Sequence, residues 1–143
     1  MKKIGILLIL IITLVSCSSD EAVATGDVDY FGNWELTKMS SAFTPAISFS
    51  NALEWKESYD FNENGTFTKT RLRDNKSITV SGTYVVTKTP NEIQFELTYE
   101  KDNDIIGSCS AEPKEILFIN SSKKLFSTWQ NCDGPDLEYE KVK

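Results

Sequence analysis

The sequence predicts an all-β domain, an antiparallel meander over one core. Apolar residues recur with period two in most segments beyond residue 30, which is the pattern of strands with one buried and one wet face. Turn-forming clusters separate these runs every ten to fifteen residues, a spacing that suits hairpins and not βαβ units. The chain has 143 residues, enough for one domain with a sizeable core.

The elements follow in order. Residues 30–143 form the predicted domain, opened by Gly32-Asn33-Trp34-Glu35-Leu36. Residues 40–52 lack clear alternation, carry Pro45, and read as the longest connection, an Ω-like loop or a short helix. Trp55, Glu57, Tyr59 and Phe61 then alternate with polar residues, and Asn62-Glu63-Asn64-Gly65 turns the chain. Asp60-x-Asn62-x-Asn64-Gly65 matches the first half of an EF-hand loop, but Arg71 stands where the bidentate glutamate belongs and the flanks read as strands, so the segment is a hairpin. Lys69, Arg71 and Arg73 share one face of the next strand, which reads either as a solvated basic face or as a cation placed at the mouth for an anionic head group. After Asp74-Asn75-Lys76 the alternation resumes through Ile78, Val80, Gly82, Tyr84 and Val86, and after Thr89-Pro90-Asn91 through Ile93, Phe95, Leu97 and Tyr99. Ile116–Ile119 is continuously apolar and reads as buried on both faces or as closing the core. Leu125–Trp129 and Glu138–Val142 complete the set, and no internal repeat stands out.

The N-terminus is a separate signal. Lys2 and Lys3 precede an apolar run, Ile4–Val15, that is too short to span a bilayer, which takes about twenty residues. Leu14-Val15-Ser16-Cys17 resembles the lipobox of bacterial lipoproteins. The resemblance implies that residues 1–16 are a signal peptide, that Cys17 carries diacylglycerol and a further fatty acyl chain such as palmitate, and that two or more chains give stable anchoring. Residues 17–29 then form a polar tether. Asp20-Glu21 resembles the acidic export signals of Bacteroidota lipoproteins, and Ser18 is not the aspartate that resembles an inner-membrane retention signal. The expected address is the outer membrane, periplasmic or surface-exposed.

Composition excludes several classes. Without Lys2 and Lys3, 13 basic residues face 21 acidic ones, a net charge of −8 that argues against nucleic acid and anionic headgroups as partners. The absence of histidine removes Ser-His-Asp and Cys-His nucleophile systems and histidine metal sites. No P-loop, GxSxG or GxGxxG occurs, and nothing singles out a carboxylate pair, so no enzyme, cofactor or metal is expected. With Cys17 assigned to lipid, Cys109 and Cys132 remain; in an extracytoplasmic chain the pair favours a disulfide, with two buried free thiols as the alternative.

Taken together, Gly32-Asn33-Trp34, Phe61–Phe67, Gly82-Thr83-Tyr84 and the closing Glu138-Tyr139-Glu140-Lys141-Val142 resemble the lipocalin-like domain of bacterial lipoproteins. That resemblance implies a small meander β-barrel of about eight strands and no established reaction. The later lipocalin signatures are not identifiable, and no arginine can be assigned over Trp34, with Lys141 the candidate in its place. A barrel of this size is either filled by side chains or holds one small ligand. On the ligand-binding reading, Trp34, Arg71, Tyr84, Phe95 and Trp129 line the site for a small apolar or amphipathic molecule. On the alternative, the interior is filled and loops at residues 40–54 and 102–114 dock a protein or glycan.

Overall fold

The computed structural model describes residues 28–41, 44–47 and 52–143. Its strands are β1 (Gly32–Ser41), β2 (Thr44–Ile47), β3 (Lys56–Phe61), β4 (Thr66–Arg73), β5 (Lys76–Lys88), β6 (Ile93–Tyr99), β7 (Lys114–Ile119), β8 (Leu125–Ser127) and β9 (Asp136–Lys141). From β3 to β9 each strand pairs antiparallel with the next. β1 closes the cylinder: its first half pairs with β3, Trp34 opposite Tyr59, and on its other edge it pairs with β9, Trp34 opposite Lys141. The result is an eight-stranded antiparallel barrel, with β2 folded back on the far half of β1 as an extra strand. The predicted signal peptide, the predicted lipid site Cys17 and nearly all of the predicted tether lie outside the described residues.

The period-two pattern fixes which side chains enter the barrel. β6 buries Ile93, Phe95, Leu97 and Tyr99 and turns Gln94, Glu96 and Thr98 outward. β3 buries Glu57, Tyr59 and Phe61 in the same way. The β4–β5 hairpin turns on Asp74 and Asn75, both at positive φ, as two-residue hairpins require and as short Asx side chains tolerate. Gly82 sits where β5 passes from β4 to β6. A Cβ there would lie 2.1 Å from the Thr98 carbonyl oxygen and 2.9 Å from the Phe67 ring, so this crossing admits only glycine.

Two segments differ from the sequence expectation. The connection predicted over 40–52 contains a strand, since Thr44–Ile47 pairs with β1, with Met39 opposite Ile47. Without internal alternation, backbone pairing to a neighbouring edge decided its conformation. β7 is not buried on both faces. Leu117 and Ile119 point inward, whereas Ile116 and Phe118 face out, half-covered, with Phe118 stacked on Phe126 of β8 at 5.3 Å. The run is continuously apolar because a cross-strand aromatic pair occupies its outer face.

The two ends of the barrel differ in chemistry. At the end carrying the β3–β4, β5–β6 and β7–β8 turns, Trp34, Phe61, Phe95, Ile93, Ile119 and Leu125 are buried against one another, with Val28 and Tyr30 packed beside them. Each such side chain contributes about 1.5–3 kcal/mol by leaving water. The opposite end, the mouth, is polar inside and is covered by the irregular segment 100–113 and the single 3₁₀ turn Trp129–Cys132. Cys109 and Cys132 form a disulfide that joins the two covers.

Candidate functional site at the polar mouth

Phe67, Lys69 and Arg71 are successive inward positions of β4. The face that read either as solvated or as a cation at the mouth is therefore an inner wall: Lys69 is fully buried, Arg71 is nearly so, and only Arg73 emerges at the rim. What makes this tolerable is a pair of inward carboxylates. Glu57 comes from β3 and Glu115 from β7, both buried. The Lys69 ammonium lies 2.7 Å from Glu115 and 3.3 Å from Glu57, and the Arg71 guanidinium donates through Nε to Glu57. Three tyrosines complete the shell. Tyr59 donates to Glu115 at 2.8 Å, Tyr139 donates to Glu57 at 2.6 Å, and Tyr99 also donates to Glu115. Two cations thus meet two anions, and each carboxylate has several donors, the condition under which buried charge is stable.

The same geometry sets protonation. Burial pushes the Glu115 carboxyl up, but the Lys69 ammonium and the Tyr99 and Tyr59 hydroxyls outweigh it and hold it below the ordinary carboxylate value. Tyr59, Tyr99 and Tyr139 are raised well above 10, first by burial and then by the adjacent carboxylates, Glu115 for Tyr59 and Tyr99 and Glu57 for Tyr139.

Above this network the mouth is lined by aromatic rings. The Arg71 guanidinium lies 4.4 Å from the centre of the Trp55 ring and 5.8 Å from that of Trp129, and Arg73 covers Trp55 at 5.4 Å. The buried indole nitrogen of Trp55 has no hydrogen-bond partner among the described residues. Arg71 uses two of its five N–H groups, on Glu57 and on the Ile105 carbonyl, the latter at 3.2 Å. It also lines an open cavity of about 350 Å³ together with Arg73, Asp74, Lys76, Ile78, Asp104 and Ile105. Arg73 is 3.4 Å from Glu54 and 4.0 Å from Asp74. Lys76 and Asp104 have no ion-pair partner among the described residues.

The expected ligand-binding residues are divided between the two ends. Arg71 and Trp129 meet at the mouth. Trp34, Tyr84 and Phe95 lie at the apolar end, packed into its core: Trp34 donates to the Tyr30 carbonyl at 2.9 Å, Tyr84 to that of Asn62 at 2.7 Å, and Phe95 contacts the Tyr30 and Phe61 rings. Lys141 stands beside Trp34 in register and binds Asp29 at 2.7 Å. Sequence reading passed over Glu57, Lys69, Glu115 and the three tyrosines as a cluster. The available signal was phase: Glu57 alternates in step with Tyr59 and Phe61, Glu115 with Leu117 and Ile119, and Lys69 with Phe67. A charged residue on an apolar phase announces a buried partner.

Among the described residues no group of three His, Cys, Asp or Glu side chains is arranged to hold a metal ion, and no helix is long and apolar enough to cross a membrane. No family model, curated protein or solved structure matches the chain. The class that the fold defines is therefore reached from geometry alone: an eight-stranded meander barrel with a packed apolar end and an ion-paired mouth.

Proposed function

We propose that this chain is a lipid-anchored envelope protein whose barrel binds a small amphipathic ligand at its mouth and catalyses no reaction. The observation that carries the binding reading is Arg71, which keeps three N–H groups without partners among the described residues while lining an open cavity walled by Ile78 and Ile105. A carboxylate or phosphate head would take those donors with help from Arg73 and Lys76, and a short apolar tail would lie between the isoleucines. The Arg71 charge is balanced by Glu57, so attraction is short-range hydrogen bonding and not a long-range field. A ligand of about 15 heavy atoms at about 0.3 kcal/mol each has a Kd near the millimolar range.

Titration with octanoate, read by the fluorescence of Trp55 and Trp129, tests this site. Saturable binding that is lost in Lys76→Glu/Ile78→Glu supports it. No saturable change in the natural chain, together with a bare mass for protein purified gently from its host, refutes it and favours docking through the loops. Anchoring rests on the lipobox resemblance at Cys17. Cys17→Ser should leave the membrane fraction, and unchanged partitioning would overturn that part.

The absence of a catalytic role is supported by the commitment of both buried carboxylates to ion pairs and tyrosines. An outer-membrane address, without nucleic acid as a partner, follows from the acidic tether and the net charge.

A further inference from the structure

The segment covering the mouth makes contacts of the kind a bound molecule makes. Residues 100–113 form no strand, and most of them face solvent, but Ile105, Ile106 and Gly107 are buried. The Ile105 carbonyl accepts from Arg71 at 3.2 Å, and the Gly107 amide donates to Glu115 Oε1. Ile106 packs into the core. Gly107 lies so close to the barrel that a Cβ would meet Glu115 Oε1 at 2.7 Å and the Trp129 ring at 3.0 Å.

The receptor groups do not depend on this occupant. Glu115 retains Lys69, Tyr59 and Tyr99, and Arg71 retains Glu57 and the Trp55 ring. Two hydrogen bonds and two isoleucine side chains hold Ile105–Gly107 down, the ends of the segment are tied to the sheet where Glu100 N–H donates to the Ser81 carbonyl and Tyr99 N–H to that of Pro113, and the Cys109–Cys132 bond fastens it two residues beyond Gly107. Asn103 shapes the approach locally, its side chain accepting from the Ile105 amide at 3.2 Å and its carbonyl from that of Ile106 at 3.1 Å.

We propose that the mouth of the barrel is a binding site for an extended peptide carrying a branched apolar pair followed by glycine, and that Ile105–Gly107 is an internal copy of that ligand which occupies the site while the disulfide holds it there. The recognition elements are one acceptor for Arg71, one donor for Glu115 and an apolar side chain between them, all supplied by a peptide backbone and its residues. The site goes beyond the open cavity beside it but shares Arg71 and Ile105 with it, so octanoate titration reads the cavity with the segment in place, whereas peptide titration reads displacement of the segment. The chain itself tethers the occupant between β6 and β7, at an effective concentration that short linkers place in the millimolar range, and the disulfide raises its occupancy further, so free peptide competes better once the disulfide is removed.

The test uses the full chain and the probe acetyl-Asp-Ile-Ile-Gly-Ser-amide. Against Cys109→Ser/Cys132→Ser, the peptide should bind at least tenfold more tightly than to the natural, disulfide-bonded chain. Hydrogen exchange at the Gly107 amide should rise at least tenfold when peptide is added, because peptide displaces the segment. Equal affinity for the two chains, or binding that leaves Gly107 exchange unchanged, overturns the proposal. If the serine variant does not fold, Ile105→Ser/Ile106→Ser with the disulfide intact decides by the same readings. There too, a tenfold gain in peptide affinity supports the site, and an unchanged affinity overturns it.

Discussion

Lys69→Met is the sharpest test of the buried network. Methionine fills a similar volume and removes one charge. It leaves Glu57 with Arg71 and Tyr139, but leaves Glu115 with two hydroxyls, the Gly107 amide and no cation. Breaking a buried pair in this way costs about 3–5 kcal/mol, mostly as the penalty of an uncompensated charge. For a domain of roughly 114 residues the unfolding entropy is about 0.24 kcal/mol/K, so a loss of 4 kcal/mol lowers Tm by about 17 °C. Against a total stability of about 6–17 kcal/mol, the change is large but survivable. Thermal and urea unfolding of four chains would measure it: the natural one, Lys69→Met, Glu115→Gln and the double variant. Neutralising Glu115 alongside Lys69 should recover at least 2 kcal/mol of the single-variant loss, because the amide no longer carries a buried charge. A fall in Tm under about 4 °C for Lys69→Met, or purely additive losses, would show that the charges are solvated and the network description is wrong.

The remaining expectations concern pH, packing and the covalent clasp. The lowered Glu115 carboxyl gives stability that is present above its unfolded value of 4.5 and lost as pH falls through its folded value, so the gap between the natural chain and Glu115→Gln should shrink in acid-unfolding curves below about pH 4.5. The raised tyrosines act at the other limit: their contribution is complete below pH 10 and lost as pH rises further, and tyrosinate absorbance should appear together with loss of fold. Gly82→Ala should destabilise by about 3 kcal/mol or more, read in urea, since neither the Thr98 carbonyl nor Phe67 has room to withdraw. Reduction of the 23-residue Cys109–Cys132 connection should cost about 3 kcal/mol by chain entropy, and a cost near zero would mean that the unfolded chain is already constrained there.

How much of this was legible in the sequence depended on whether a residue's neighbours along the chain shared its fate. β5 and β6 were readable because alternation runs from Ile78 to Val86 and again from Ile93 to Tyr99, on either side of the Thr89-Pro90-Asn91 turn. The pairing of Cys109 with Cys132 was favoured in the sequence once Cys17 was read as the lipid site, which left two of the three cysteines. The interior of β4 was left open between a solvated face and a cation at the mouth because lysine and arginine ordinarily mark water, and their compensating carboxylates lie on β3 and β7, with Glu115 46 residues from Lys69. Only the third dimension joins them. Likewise Thr44–Ile47 has no pattern of its own and owes its conformation to the edge of β1. Among the ligand candidates, Arg71 and Trp129 converge because the barrel brings β4 and the turn after β8 to the same end, which no local motif encodes.

The closure of β1 on β9 has one more consequence. Because β1 starts beside the β3–β4 turn, with Gly32 opposite Phe61, the chain enters the barrel at the apolar end. The mouth lies at the other. The eleven residue steps from Cys17 to Val28 reach at most about 40 Å when fully extended. On the proposed lipid anchoring at Cys17, the attachment therefore lies at the packed end of the barrel, and Arg71, Trp55 and the 100–113 segment lie at the end far from it. The anchor and the mouth are thus at opposite ends of one cylinder, and the tether leaves the barrel away from the entrance to the mouth.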